Sequence, residues 1–467
     1  MTNIVLVSVD CLRADRVYNH HRYTTPTLHK LQKESLIFDA AYATGPYTTE
    51  SIPGLIAGQH SYNGWYYGND VTWKAIGDGP TLASWLRDQG FETVATLTNP
   101  HLSRARNFDR GFNQFENLRL GDETDSTDDR DKGGLLQLGS LLYDIRSRMR
   151  NYDTVRNPYM LPVMVYRYLQ TKQGWPTVDG ETVVDNFTDQ LEPLSDGFFA
   201  WTHLMDLHAP LRPSTVRAGG LSAVTSTYGQ LQCDAARAAR VHEPRYDTMY
   251  DSALRYVDER IGDVIDHLQR TGVWDDTVLV VTGDHGEVLF DRNDVYGHPP
   301  HHLYDELLHV PLIVRTPDDR AGRISTPVSL AWLHEILAVL CDFEEGEFPA
   351  TSGTTSLLTD SESSAPVVSD TLDRTGHTLA VRDNQRKILH HEPADENSQI
   401  DYDYTTRDIQ FNYREDPRER ATIQSDISPD LTALAHDLAI HPSELPSVQG
   451  EFGRDVEEQL RDLGYRA

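Results

Sequence analysis

The stretch Asn3-Ile4-Val5-Leu6-Val7-Ser8-Val9-Asp10 decides the fold. Its Ile, Val and Leu residues show none of the alternation of a half-buried strand, as in a strand covered on both faces of a parallel sheet, and a carboxylate follows at once. Outward from it, Phe198–Leu204, Thr277–Thr282 and Val310–Arg315 read in the same way, and Glu92–Leu97 adds a further strand. Helices are predicted between them. Thr25-Pro26 opens one with proline in the first turn and Leu28, Leu31 and Leu36 on its apolar face, and Thr81–Gln89 forms a second that stops at Gly90. Amphipathic spacing predicts a long helix over about Asp247–Arg270 and another near Leu330–Leu340. The alternation implies an α/β fold: a mixed, mostly parallel sheet flanked by helices. From about His377 the character changes, and Leu379–Arg382, Lys387–His391 and a polar helical tail predict a small C-terminal α+β subdomain. The expected division is a main α/β domain over 1–375, with a variable insertion at about 120–184 opening on the charged tract Asp122–Lys132, and the subdomain over 376–467.

The 467 residues carry 72 acidic against 42 basic side chains, a formal charge of -30. Such a surface repels phosphate backbones and anionic membranes, which excludes general nucleic-acid binding. Only six of the basic residues are Lys. Together with the acidity this predicts a protein adapted to concentrated salt, where self-repulsion is screened. Cys11, Cys233 and Cys341 are too few and scattered for a disulfide framework or a thiolate metal site, and are expected to be reduced. With no basic start before Asn3–Val9 and no 18-residue apolar run, neither signal peptide nor membrane span is expected, and the expected location is cytoplasmic. Composition does not bear on oligomeric state.

Asp10 and Asp284-His285 each follow a predicted strand, at the edge where open α/β sheets bind ligands. Two carboxylates and an imidazole suit a divalent cation such as Mn, Zn or Mg. The structural alternative is that Asp10 caps a helix and Asp284 shapes a turn. Gly45-Pro46-Tyr47-Thr48-Thr49-Glu50-Ser51 reads as a loop leading into a short helix. A hydroxyl there, beside a metal and the helix's unpaired N–H groups, can attack phosphorus or sulfur; the alternative is an ordinary N-cap.

These residues resemble the sulfatase family of the alkaline phosphatase superfamily. Asn3 to Asp15 is similar to its first strand and metal Asp, and Leu55-Ile56-Ala57-Gly58 to the end of its signature helix. His203-Leu204-Met205-Asp206-Leu207-His208 resembles its substrate-binding histidine segment. Asp284-His285-Gly286-Glu287, Gly297-His298 and Leu303-Tyr304-Asp305-Glu306 resemble its second metal segment, and Phe411 to Arg420 its C-terminal ending. The resemblance implies a sulfatase-like sheet, an anionic ester substrate and a metal held by Asp10, Thr48, Asp284 and His285. It further implies that Thr48 is the nucleophile, that His208 and His298 serve the leaving group, and that Arg13, Asn99, His101 and His302 bind the anion.

The departures point to phosphorus. In sulfatases a Cys or Ser is oxidised to formylglycine within Cys/Ser-x-Pro-x-Arg, whereas here Thr48 takes that position, with Glu50 and Ile52 in place of Pro and Arg. A threonine cannot become an aldehyde, and it resembles the nucleophile of phosphodiesterases and phosphoethanolamine transferases. Cys11 replaces the second Asp, and His285 stands where many sulfatases carry Asn, which argues against an all-oxygen calcium cage. Asn99 and His302 fall where family lysines are expected. The implied activity is metal-dependent hydrolysis of phosphate mono- or diesters through Thr48. A sulfuric ester hydrolase, a phospho-group transferase and a non-catalytic binding or scaffold protein are the alternatives.

Overall fold

The computed structural model describes residues 2–119 and 177–448, apart from 19–22, 68–69, 224–242, 293–294, 319, 354–356, 359–364, 397, 399, 401, 403, 405–406, 424–426 and 445–446. The tract Asp122–Lys132, most of the expected insertion, and Cys233 lie outside the described residues.

The main sheet is built from β1 (Asn3–Val9), β2 (Leu36–Tyr42), β3 (Glu92–Leu97), β4 (Gln114–Asn117), β5 (Phe198–Leu204), β6 (Thr277–Gly283), β7 (His309–Arg315), β8 (Gly322–Ile324) and β9 (Val328–Ser329). Its order is β8-β2-β7-β6-β1-β5-β3-β4, with β9 beside β2. β1 lies parallel to both β5 and β6, whereas β7 runs antiparallel to its neighbours β6 and β2. β1, β5 and β6 are buried along their whole length. Ile4 and Leu6 of β1 join one apolar cluster and Val5, Val7 and Val9 another, so each face of the sheet carries its own core. This is why the sequence shows continuous apolar runs instead of alternation.

The helix Arg245–Thr271 covers one face, burying Tyr246, Met249, Tyr250, Ala253, Leu254, Val257, Ile261, Val264 and Leu268 at three- and four-residue spacing. Gly272 closes it with a left-handed φ of 78°. Truncating Leu254, fully buried beneath the sheet, would cost about 2–5 kcal/mol. One expectation fails: Leu36 is not on a helix face. The helix Pro26–Leu31 gives way to a 3-10 turn over Gln32–Glu34, Ser35 is extended while its hydroxyl takes the Leu31 carbonyl, and Leu36 begins β2 opposite Val314. The apolar run Leu36-Ile37-Phe38 is worth more between two strands than one leucine is on a short helix.

A second, antiparallel sheet follows: β10 (Val367–Asp373), β11 (Gly376–Arg382), β12 (Arg386–Pro393) and β13 (Ile409–Asn412), in that order. The hairpin of β10 and β11 spans position 376. Val367, Ala380, Leu389 and Phe411 face the same apolar cluster as Phe38 and Leu312 of the main sheet. On the opposite face Val368, Leu379, Val381 and Ile388 pack under Leu431 and Ala435 of the helix Pro429–Leu438. Lys387 and Arg382, both fully buried, reach Asp305, and Lys387 also reaches Glu419 at 2.6 Å. Removing one member would strand buried charge, at about 3–5 kcal/mol. No helix among the described residues is long and apolar enough to cross a membrane.

Candidate active site

The carboxyl ends of β1, β2, β3, β5 and β6 open on one edge of the sheet, and there the chain gathers its polar side chains. Asp10 and Asp284 continue the strands by backbone bonds, Asp10 N to the Leu204 carbonyl at 2.8 Å and Asp284 N to the Val9 carbonyl at 3.2 Å. Asp284 does shape the local turn: its Oδ1 accepts from the amides of His285 at 2.6 Å and Cys11 at 3.2 Å. Its Oδ2, buried with no hydrogen-bond donor, faces His285 Nε2 at 3.7 Å. Gly286 lets this turn form, since a Cβ there would meet the Glu306 carbonyl at 2.1 Å.

Thr48 is the first residue of the helix Thr48–Ala57, and Tyr47 occupies the N-cap without a side-chain cap. The capping alternative is therefore displaced by one residue. The Thr48 hydroxyl instead points to Asp10 Oδ2 at 3.4 Å and His285 Nε2 at 3.5 Å. Glu50 in the same turn anchors the helix to the second sheet, its Oε1 accepting from the Leu372 amide and the Thr371 hydroxyl.

Both histidines near Asp10 have their tautomer set by neighbours. His285 Nδ1 lies 2.7 Å from the Gly286 carbonyl, which can only accept, so its Nε2 lone pair faces Asp10 Oδ1 at 3.6 Å. His203 Nδ1 lies 2.9 Å from Ser8 Oγ, which also accepts from Trp201 Nε1 and donates to the Thr202 carbonyl. His203 Nε2 is left buried without a hydrogen bond, 3.8 Å from Asp10 Oδ2. Asn99 Nδ2 approaches the same oxygen at 3.5 Å. Cys11, in a left-handed conformation, gives its thiol to Asp10 Oδ1 at 2.9 Å, and burial and Asp10 hold that thiol protonated well above its usual range. Although burial opposes it, His208, His203 and His285 hold the Asp10 carboxyl down in the ionised form, and burial and Asp10 push the Asp284 carboxyl up.

A second layer contains His208 and His298, with ring centroids 5.1 Å apart and His298 5.3 Å from His285. Burial lowers His208 to about 4, so its ring is neutral. His298 is raised: burial works against it, but Glu287 Oε2 lies 3.2 Å from its Nδ1. His101 Nδ1 accepts from Arg106 at 2.8 Å, and burial and that guanidinium hold it neutral.

Asp10, Thr48, Asn99, His208, Asp284, His285 and His298 thus meet at one edge, and His101 is tied to it through Asn99. Two expected anion-binding residues are placed elsewhere. Arg13 spends all five donors on Asp15, Asp291 and the Glu287 carbonyl, and His302 is held between Glu306 at 2.8 Å and the Tyr402 hydroxyl at 3.2 Å. Neither has a nitrogen to spare for an anion. Sequence reasoning did not single out His203 and Glu287, which the structure brings to the candidate site beside Asp10 and His298. An imidazole near the end of a wholly buried strand, and a carboxylate three residues after Asp284, were the available signals.

The donors fit a divalent ion. Asp10, His203 and Asp284, and likewise Asp10, Cys11 and His285, offer ligand atoms within 4.8 Å of one another, and the orphaned His203 Nε2 and Asp284 Oδ2 point into that space. Mixed nitrogen and oxygen donors of this kind suit transition-type ions better than calcium.

Residues 2–342 match the family model described as Sulfatase. The chain is similar to the uncharacterized sulfatase YidJ of Escherichia coli strain K12, 24% identical over 387 residues covering 74% of this chain and 69% of that protein. It is also similar to an N-acetylglucosamine-6-O-sulfatase of Bacteroides thetaiotaomicron, 24% identical over 375 residues, 70% of this chain and 65% of the relative. In fold it resembles the phosphonate monoester hydrolase of Agrobacterium radiobacter, with a TM-score of 0.59, 16% identity and 94% of each chain covered. The chain belongs to the sulfatase family, hydrolases of sulfuric and phosphoric ester bonds.

Proposed function

We propose that the chain hydrolyses phosphate mono- or diesters through Thr48. The observation that carries this reading is the Thr48 hydroxyl at a helix N-terminus, 3.4 Å from Asp10 and 3.5 Å from His285; the sequence resemblance aligns it with the formylglycine precursor of sulfatases. Asp10, His203, Asp284, His285 and Thr48 would hold the divalent ion, with manganese, zinc or magnesium fitting the donors better than calcium. Bound there, the ion would favour the alkoxide of Thr48 and polarise the ester oxygen.

Thr48, its hydroxyl proton released to solvent as the alkoxide forms, would bond through Oγ1 to phosphorus as the bond to the leaving alcohol oxygen breaks. His298, kept protonated by Glu287, donates its proton to that oxygen, and His208 offers a neutral imidazole beside it. Water attacks the threonyl ester, neutral His298 takes a proton from it, and Thr48 is released with the anion. A sulfate ester is the second reading, favoured by the likeness to the Bacteroides N-acetylglucosamine-6-O-sulfatase. Aryl phosphate, phosphodiester, phosphonate and sulfate esters assayed with several metals test the choice. Preference for phosphorus esters and a phosphate adduct on Thr48 support the proposal; exclusive turnover of sulfate esters refutes it.

A further inference from the structure

We propose that His390, Asp408 and His436 form a second divalent-metal site, apart from the active site, that pins the helix Pro429–Leu438 to the antiparallel sheet and takes an ion of the zinc class. The three residues come from three elements: His390 from β12, Asp408 from the residue before β13, and His436 from the last turn of the helix. His390 Nδ1 lies 2.7 Å and His436 Nε2 2.8 Å from the two oxygens of Asp408. The two rings are 4.1 Å apart, and the three ligand atoms lie within 4.8 Å of one another.

Either a proton or a metal ion can hold this cluster together. With its proton on Nδ1, His390 bonds Asp408 but turns the lone pair of Nε2, buried and without a hydrogen bond, toward Glu392 Oε2 at 3.9 Å. With its proton on Nε2, that N–H faces Glu392, and the Nδ1 lone pair meets the Asp408 carboxylate. With both its nitrogens protonated, His390 donates to Asp408 and faces Glu392, while neutral His436 donates to the other Asp408 oxygen. A divalent cation would take the place of the Nδ1 proton: it would accept the Nδ1 lone pair of His390, with Glu392 Oε2 3.9 Å from Nε2, on the side from which carboxylates orient many zinc-ligating histidines. Two imidazoles and a carboxylate are a zinc-type set, and His436, half exposed, leaves a fourth position to water.

The location gives the ion a purpose. Among the described residues the apolar cluster under this helix has Val368, Leu379, Val381, Ile388, Leu431 and Ala435 as its buried members, and small cores of this kind gain most from a metal cross-link.

The test uses the full chain after chelation and dialysis, titrated with zinc and then with cobalt, with bound metal measured per chain. The wild type should bind one equivalent more than His436→Ala and one more than Asp408→Asn. Its melting midpoint should rise with zinc beyond the rise seen in His436→Ala. Turnover of His436→Ala at saturating metal should equal that of the wild type, which separates this site from the catalytic one. Because His436 is half exposed, its substitution removes its ring contact with His390 and its bond to Asp408 but leaves the apolar cluster under the helix in place. Equal stoichiometry in wild type and His436→Ala would overturn the proposal and leave Asp408 as a plain hydrogen-bond acceptor for both rings.

Discussion

Ser8→Ala probes the least legible part of the active site. Ser8 is fully buried on β1 opposite His203, and its hydroxyl accepts from His203 Nδ1 and Trp201 Nε1, each at 2.9 Å. Deleting it leaves two buried N–H donors without an acceptor, at about 1–3 kcal/mol each, so stability should fall by roughly 2–6 kcal/mol. A structural role accounts for that much. If His203 Nε2 is a metal ligand, loss of the partner that fixes its tautomer should also weaken metal affinity by about 10–100-fold. Thr202→Val supplies the control: its hydroxyl bonds the Thr96 carbonyl on the neighbouring strand and does not touch the His203 ring. Metal titration by calorimetry, below the melting range of every variant, gives the affinity. A Ser8→Ala protein that is destabilised yet binds metal as tightly as the wild type would refute the assignment of His203 as a ligand.

Thr48→Ala should abolish turnover while changing stability by about 1 kcal/mol, because Tyr47, not Thr48, occupies the N-cap; Thr48→Ser should keep part of the rate, and normal turnover by the Ala variant would dismiss Thr48 as nucleophile. Glu287→Gln removes the charge that raises His298. Since His298 acts protonated, the rate falls as pH rises through its titration, so the alkaline limb of the pH–rate profile should move to lower pH, with the loss growing as pH rises; an unmoved limb contradicts the acid assignment. The formal charge of -30 predicts a melting midpoint that climbs from low to molar KCl, and a flat response would remove the salt-adapted reading.

The sheet and much of the site were legible because buried parallel strands announce themselves as apolar runs, and the residues just past them, Asp10 and Asp284-His285, occupy the edge where such sheets place ligands. Thr48 was legible from its helix start. Arg13 and His302 misled for the same reason: a basic group close in sequence to a ligand says nothing about its partners in space. Asp291, 278 residues from Arg13, takes both terminal nitrogens of its guanidinium. His203 was hidden by its strand, whose wholly buried pattern gives no periodicity from which to tell which face, or which end, a polar residue serves. The pairing His390–Asp408–His436 was equally silent, since only folding brings a strand, a loop and a helix end together.

The position of β1 between β5 and β6 also governs how the chain is made. Ile4 pairs with Phe199 on one side and Val278 on the other, so a ribosome working at about 5–20 residues per second needs on the order of 10–40 s after making β1 to deliver even its nearer neighbour. Throughout that interval a seven-residue β-forming run has both hydrogen-bonding edges bare, a template for joining other nascent chains. Asp10 and His203 can meet once β5 has docked, but the full set of Asp10, His203 and Asp284 comes together only when β6 docks as well. On the proposed ligand set, ion capture would report completion of the central sheet, and truncations ending before β6 should be clients of chaperones, without affinity for the proposed active-site metal.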